Sequence, residues 1–220
     1  MLDRGTLRRV PRPKGKRVMN TKIVLKLKRN PDNSIERYKE LGFQQRQGDF
    51  DKLLSPVTDF TSVRIFLTGP AQRNQKVHHI DVANAFLYAL LAEELYISLP
   101  RALLNLDLGI EINDENGDYV YQLMRSIYGL RQAPRCWYDH LTGTFRAMGL
   151  QPMNYIESGF SGFINGAPIA VIVYVDDLLV TTTCDRALAM FKDALSSRFD
   201  MRDFREVSAF LNVAIERRLN

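Results

Sequence analysis

Two adjacent aspartates stand inside an otherwise apolar stretch, AVIVYVDDLLV, at residues 170–180. The apolar residues on either side are typical of buried strands, and Asp176-Asp177 falls where one strand would turn into the next. Unpaired carboxylates cost too much free energy to lie in a core, so we predict that the pair occupies the tip of a β-hairpin. Asp is also common in ordinary solvated turns. A rigid tip with two charges would instead need a counter-charge, which a divalent cation supplies.

The composition fits a globular protein of ordinary type. The chain has 220 residues, 45% of them hydrophobic, which suffices for one or two compact subdomains. Its two cysteines cannot form a disulfide framework. We find no signal peptide, and the apolar runs are too short to span a bilayer. We therefore expect an intracellular protein that has no membrane partner.

The positive charge is concentrated at the N-terminus. The net charge is +5, but residues 1–30 contain eleven Lys or Arg and one acid, Asp3, so that the remaining residues carry a net charge of −5. A basic arm in front of a mildly acidic body indicates a polyanionic partner such as nucleic acid. A solvated, disordered tail is the alternative interpretation.

Periodicity and turn signals predict a mixed α+β chain. Residues 1–20 are expected to be a linker, and a basic hairpin follows at 22–39. Strands are further predicted at residues 76–82, 96–100, 119–124, 168–175, 178–183 and 208–218. Helices are predicted at residues 61–69, 83–95, 134–149 and 185–199. Gly69-Pro70 should stop the first helix, and Asp185 is a plausible N-cap of the last. This order favours one antiparallel sheet with helices on one face.

A third carboxylate, Asp81, ends the strand at 76–82. Mg²⁺ prefers a few carboxylates together with substrate phosphates. Two such ions about 3.5–4 Å apart would clamp the attacking and leaving oxygens of a phosphoryl transfer. The alternative for Asp81 is the N-cap of the helix that follows. A zinc site is excluded because the available His and Cys residues show no zinc-type spacing, namely His78, His79, Cys136 and His140.

Three sequence blocks in this order resemble the reverse transcriptase of copia-type retrotransposons. They are DVANAFLYALLAEELYISLP (81–100), YQLMRSIYGLRQAPRCWYDHL (121–141) and YVDDLLV (174–180). The resemblance covers roughly residues 22–217. It implies a right-hand polymerase fold with fingers and palm, the palm being a ferredoxin-like antiparallel sheet. It also implies DNA synthesis from dNTPs on an RNA or DNA template with a primer, using two Mg²⁺ ions for which Mn²⁺ could substitute.

The resemblance also implies a domain organisation. A basic arm (1–20) would precede a fingers-like segment (21–80) and a palm (81–217) with a fingers insertion at about 100–135. The thumb and an RNase H domain are expected to be absent. The oligomeric state is not predicted.

The resemblance assigns roles to individual residues. Asp81, Asp176 and Asp177 match the metal-binding carboxylates, Asp177 being the less direct ligand, and Val82 is grouped with them. Phe86 occupies the position of an aromatic gate that excludes a 2′-OH; its alternative is a core residue. Further substrate contacts are expected from Gln132, Lys39, Tyr174 and Val175. Nucleic-acid contacts are expected from Arg131, Arg135, Lys26 and Lys28, although solvation is an equal alternative for the two arginines. Trp137 is expected to be a core residue.

The sequence departs from the family pattern in the fingers. RYKELGF (37–43) is four residues shorter than the corresponding family segment and lacks two basic residues. Lys39 could substitute for one of them. Losing one preorganised donor to a developing phosphate charge can cost roughly 10²–10³ in rate. We therefore hypothesise a decayed element fragment with weak or no polymerase activity. A non-catalytic nucleic-acid-binding fragment is the alternative.

Overall fold

The computed structural model describes residues 5–22, 26–29, 35–39, 42–43, 55–56, 58–99 and 118–218. Within these ranges the protein is mixed α+β, mostly sheet with three α-helices, which confirms the predicted class. It divides into two compact units. Unit 1 comprises residues 1–54 and 86–136, and unit 2 comprises residues 55–85 and 137–220.

Unit 1 contains a five-stranded sheet in the order β1-β8-β7-β2-β5. Its strands are β1 (Leu7–Pro11), β2 (Val18–Lys22), β5 (Gly42–Phe43), β7 (Leu90–Ser98) and β8 (Tyr119–Arg125). The predicted basic hairpin is confirmed as β3 (Lys26–Arg29), antiparallel to β4 (Ile35–Lys39). Buried apolar residues such as Ile97 and Leu123 form the core of this unit.

Two predictions for unit 1 are wrong. The described part of the predicted linker contains β1, which pairs with β8 along its whole length, and β2. The helix predicted at 83–95 is replaced by a 3₁₀-helix, Ala85–Tyr88, followed by the long strand β7. Residues 90–94 alternate between exposed and half-buried, which is the period of a strand. Pairing with β8 and β2 has therefore overridden the helix propensity of the Ala, Leu and Glu residues.

Unit 2 contains a six-stranded antiparallel sheet in the order β13-β6-β12-β11-β10-β9. Its strands are β6 (Val77–Val82), β9 (Gln151–Pro152), β10 (Gly159–Ile164), β11 (Ala167–Tyr174), β12 (Asp177–Thr182) and β13 (Met201–Glu206). A separate small hairpin joins β14 (Ala209–Phe210) and β15 (Val213–Ala214). The predicted single strand at 208–218 is therefore wrong. Leu211 and Asn212 both have positive φ, as a two-residue hairpin loop requires.

Helices cover both faces of the unit 2 sheet, so the prediction of helices on one face is wrong. Val63 and Phe66 of α1 (Phe60–Gln72) pack with Ile172 and Leu179 on one face. On the other face, Phe145 of α2 (Ala133–Ala147) contacts Phe160 of β10 and Phe191 of α3 (Asp185–Ser196). The physical reason is visible in the sequence, because strands that are apolar at successive positions bury both faces.

The helix ends differ in two details from the prediction. Helix α1 continues through Pro70 to Gln72, because a proline so close to the C-terminal end removes only one late N–H···O bond. Helix α3 has Cys184 at its N-cap, and Asp185 is instead its first residue. The prediction for α2 is confirmed, with Trp137 and Phe145 buried.

Candidate active site

Two of the three predicted carboxylates, Asp81 and Asp177, lie side by side at one end of the central strands of unit 2. Strands β6 and β12 are antiparallel neighbours, and Asp81 lies directly opposite Asp177 in their register. Directly opposed residues project from the same face of a sheet, with Cβ atoms about 4.5–5.5 Å apart. Both residues are half-buried. Pairing of β6 with β12 therefore brings together two acids that are 96 positions apart in the sequence.

The hairpin between β11 and β12 has a two-residue loop, Val175-Asp176, between the paired residues Tyr174 and Asp177. The predicted hairpin is confirmed, with one aspartate in the loop and the other at the start of β12. Val175 has φ 55°, which is unusual and strained for a β-branched residue.

Two hydrogen bonds hold this strained loop. The Val82 N–H donates to the Asp176 carbonyl at 2.8 Å, which ties the loop to the end of β6. The Trp137 Nε1–H donates to the Val175 carbonyl at 2.6 Å. Trp137 is therefore a core residue, as predicted, that also supports the loop.

Two residues beside the carboxylates were not predicted. His79 Nε2 lies 2.7 Å from Asp177 Oδ1. Arg202 of β13 lies opposite Asp81 on the side away from β12. His79 could have been found from its spacing, since residues two apart in a strand share a face with Asp81. Arg202 could not, because its position depends on the pairing of β13 with β6.

The carboxylates fit a Mg²⁺ site that substrate phosphates complete. Within the described ranges, no group of three or more His, Cys, Asp or Glu side chains could hold a metal ion by itself. Mg²⁺ does not require such a cage, because it is usually bound through one or two carboxylates and keeps waters and phosphates as its other ligands. The opposed Asp81 and Asp177, with Asp176 in the adjoining loop, supply donors of this kind.

The remaining predicted site residues lie in unit 1. Phe86 is buried, its ring centroid is 4.6 Å from that of Tyr128, and its carbonyl accepts from the Ser126 hydroxyl. Gln132 is only 1% exposed, just before α2. Arg131 is exposed and Arg135 half-buried.

The predicted lysines lie on the hairpin of unit 1. Lys26 is in register with Lys39, and Lys28 with Arg37. Four basic residues of the hairpin thus form two cross-strand pairs, which the pair Leu27–Tyr38 separates. The four-residue shortening falls next to Lys39, and residues 40–41 are outside the described ranges.

The family model described as reverse transcriptase (RNA-dependent DNA polymerase) matches residues 4–220. The chain belongs to the reverse transcriptase family. This confirms the resemblance to copia-type reverse transcriptases on which the sequence-based prediction rested.

Relatives of this reverse transcriptase domain are transposon polyproteins. It is 35% identical over 97% of its length to the retrovirus-related Pol polyprotein from transposon TNT 1-94 of Nicotiana tabacum. It is 34% identical over 94% of its length to that from transposon RE2 of Arabidopsis thaliana. The chain spans only 16% and 14% of these relatives. A putative transposon Ty5-1 protein of Saccharomyces cerevisiae is 30% identical over 64% of the chain, which corresponds to 43% of that protein.

A charged cluster lies on the opposite side of β6 in the reverse transcriptase domain. Lys192 Nζ lies 3.2 Å from His78 Nδ1 and 2.8 Å from Asp203 Oδ2. Burial and the Lys192 charge lower the pKa of His78, against the opposite effect of Asp203. The pKa of Asp203 is also lowered: burial acts to raise it, but the hydrogen bond from Lys192 and that from the Arg205 N–H outweigh this effect.

No helix within the described ranges is long and apolar enough to cross a membrane.

Proposed function

We propose that this domain is an RNA-directed DNA polymerase that joins a dNTP to a primer 3′-hydroxyl, with Asp81, Asp176 and Asp177 holding the divalent cations. The observation that supports this most strongly is the register of β6 and β12, which places Asp81 opposite Asp177. When bound there, two Mg²⁺ or Mn²⁺ ions would stabilise both the attacking and the leaving oxygens. The nucleophile is the primer itself, so that the protein needs no side-chain nucleophile.

The residues of the chain orient the reacting groups. The bond from Val82 N–H to the Asp176 carbonyl keeps the loop that carries Asp176 next to the strand that carries Asp81. For this reason we group Val82 with the metal-binding residues. Tyr174 and Val175 flank the carboxylates at the same hairpin and would lie under the primer end. Catalysis then rests on positioning and electrostatic stabilisation, as is general for phosphoryl transfer.

For the substrate we propose contacts with three residues of unit 1. Phe86 would be the gate against a 2′-OH, since its ring is packed on Tyr128 and so held in one position. Gln132 would contact the incoming nucleotide, and Lys39 its triphosphate. In terms of the right-hand fold, the antiparallel sheet of unit 2 supports the assignment of the palm to residues 81–217. The fingers then comprise residues 21–80 and about 100–135. The compact units differ from this division in two respects: α1 and the start of β6 belong to unit 2, and residues 86–99 belong to unit 1.

The nucleic-acid partner is supported by an exposed basic surface on unit 1. It comprises Arg8, Arg9, Arg12, Lys14, Lys16 and Arg17, all exposed, and residues 5–22 contain no acid. Two of the arginines are positioned by β8, since Arg8 donates to Gln122 at 2.5 Å and the Arg9 guanidinium lies 4.1 Å from the centroid of the Tyr119 ring. We propose that this surface, with Lys26, Lys28, Arg131 and Arg135, contacts the phosphates of template and primer.

Primer extension tests the catalytic proposal. The substrate is oligo(dT) on poly(rA) with dTTP and Mg²⁺, and the control is the double variant Asp176→Asn/Asp177→Asn, shown to be folded by circular dichroism. We expect short, Mg²⁺-dependent products that the double variant does not make. Folded wild-type protein that binds primer–template but extends nothing would instead support the non-catalytic alternative.

The binding proposal has a separate test. Binding of a labelled primer–template at 50 and 200 mM salt should weaken steeply, because phosphate contacts release counterions. The triple variant Arg8→Gln/Arg9→Gln/Arg12→Gln should reduce both the affinity and the salt dependence. The matched control Arg64→Gln/Arg186→Gln/Arg198→Gln changes three exposed arginines of unit 2 and should alter neither. Equal losses of affinity in the triple variant and in the control would refute a role for this surface.

A further inference from the structure

We infer that His79 is a positioning residue for Asp177, which fixes the direction of its carboxylate toward the cation site. The inference rests on the proposed function of the carboxylates and adds a residue to which no role has been assigned. It stands on three observations, namely a short hydrogen bond, an aromatic enclosure of the imidazole and a β-bulge that builds this enclosure.

The hydrogen bond joins two partly buried side chains. His79 Nε2 lies 2.7 Å from Asp177 Oδ1, and the two side chains are 16% and 29% exposed. An ionised carboxylate can only accept hydrogen bonds, so the Nε2–H must be the donor. Fixing Oδ1 also restrains rotation about the Cβ–Cγ bond, and the direction in which Oδ2 points follows from it.

The imidazole is itself held by two phenylalanines. Its ring is stacked on Phe204 with centroids 4.8 Å apart and an interplanar angle of 28°. Phe210 meets it edge-on at 5.6 Å and 84°. A ring that is packed on two sides can donate in only a few directions, so the direction of the bond to Asp177 is set by the protein rather than by solvent.

The stacking on Phe204 depends on a β-bulge. In the pairing of β13 with β6, Asp203 lies opposite Ile80 and Arg205 opposite His79, so Phe204 is the extra residue between them. The Arg205 N–H donates to Asp203 Oδ1 at 2.9 Å, and Arg205 has φ 63°, which is a local turn within the strand. Bulges commonly redirect a side chain beside an active site, and here the redirected side chain supports His79.

A partner that orients a metal ligand typically affects metal affinity by 10–100-fold. The contact also agrees with the difference in role that the family resemblance implies for the two adjacent aspartates. His79 engages one oxygen of Asp177, which leaves only the other oxygen for a cation, as expected of the less direct metal ligand.

Two variants separate the hydrogen bond from the ring. His79→Phe keeps an aromatic ring for Phe204 and Phe210 but has no donor, whereas His79→Gln keeps an N–H at a similar reach but no aromatic ring. The measurement is Mn²⁺ binding by electron paramagnetic resonance to the full chain with dTTP and a dideoxy-terminated primer–template bound, because phosphates complete the site, together with thermal unfolding of each variant. We expect His79→Phe to weaken Mn²⁺ binding by about tenfold, and His79→Gln to bind as tightly as the wild type within about threefold.

The outcomes distinguish this inference from the proposed function. Loss of Mn²⁺ binding in Asp81→Asn with wild-type binding in His79→Phe would refute the role of His79 and leave the metal site standing. Wild-type Mn²⁺ binding in both Asp81→Asn and Asp176→Asn would refute the metal site itself, and the inference with it.

A further variant keeps the test decisive if His79→Phe does not fold. Phe204→Leu changes a side chain that is 52% exposed and removes only the stacking partner. We expect it to weaken Mn²⁺ binding in the same direction by a smaller factor. Unchanged affinity in folded Phe204→Leu would refute the contribution of the bulge.

Discussion

Asp81 of β6 lies directly opposite Asp177 of β12, on the face of the sheet that also carries His79. Like charges at directly opposed positions destabilise a sheet. Arg202 of β13, opposite Asp81 on the other side of β6, brings a positive charge next to the pair, and the loop hydrogen bonds and His79 hold its geometry. A divalent cation between the strands would add further attraction, which agrees with the cation site proposed above.

Mg²⁺ should stabilise the domain through these carboxylates. A ligand present at ten times its Kd adds about 1.4 kcal/mol, which corresponds to a Tm rise of about 3–6 °C for a chain of this size. Differential scanning fluorimetry with and without Mg²⁺, with dTTP present in both samples to complete the site, measures this directly. Asp81→Asn should abolish the rise, and Asp193→Asn, which alters an exposed acid on α3, should retain it. The same rise in both variants would show that the cation binds elsewhere.

Trp137→Phe should weaken the hairpin loop. The variant keeps most of the buried ring but loses the donor to the Val175 carbonyl, at a cost of about 1–3 kcal/mol for the unsatisfied group. Urea unfolding gives the stability, and nucleotide addition reports on the loop. Tyr138→Phe is the matched control, because it removes the neighbouring donor to the Glu157 carbonyl, which is in an exposed region. If the two variants lose stability and activity equally, the Trp137 bond has no specific role at the loop.

Stability should fall as the pH is lowered below about 6.5, through His78. Its pKa is below the ordinary value of 6.5 in the folded protein because of burial and then of Lys192, with a smaller opposing effect of Asp203 and Glu206. The unfolded chain therefore takes up a proton that the folded chain resists, so stability is full above pH 6.5 and is lost below it.

Urea unfolding at pH 7.5 and 5.5 tests this expectation. His78→Gln should show a smaller loss between the two values than the wild type. If the wild type and His78→Gln lose the same amount of stability between the two pH values, the pH dependence comes from other groups. Asp203 adds a second loss of stability at more acidic pH. Its pKa is also lowered in the folded state, so this loss sets in below the ordinary aspartate pKa of 3.8.

Phe86→Val should admit ribonucleotides. If Phe86 is the gate, shortening it removes the obstacle to a 2′-OH, and the preference for dTTP over rUTP in kcat/KM should fall about tenfold or more. Tyr128→Phe is the control, because it keeps the ring packed on Phe86. An unchanged preference in folded Phe86→Val would leave Phe86 as a core residue only.

The hairpin and its carboxylates could be predicted because their signal is local. Strands β11 and β12 are continuous apolar runs, and Asp176-Asp177 interrupts them at one point. The same apolar runs also indicate that helices cover both faces of the sheet, because residues 171–173 and 178–180 are all almost fully buried.

Long-range pairing explains the predictions that failed. Residues 83–95 contain good helix formers, yet β7 forms because β8 and β2 pair with it. Strand β13 has no apolar alternation, since most of its residues are exposed, and neither its register nor the bulge at Phe204 can be read from MRDFRE. Arg202 and the enclosure of His79 both depend on that strand. The position of the aspartates at strand ends was therefore predictable from the sequence, whereas the pairing of β13 that brings Arg202 and Phe204 beside them was not.

Single-nucleotide addition under single-turnover conditions tests the central claim most directly, because it needs the cation site but not processive synthesis. Excess protein is mixed with oligo(dT) on poly(rA), dTTP and Mg²⁺, and wild type is compared with Asp81→Asn. We predict that the wild type adds a nucleotide and that the variant is slower by at least about 10²-fold. Equal rates, or no addition by folded wild-type protein bound to primer–template, would contradict the assignment of Asp81, Asp176 and Asp177 to a working polymerase site.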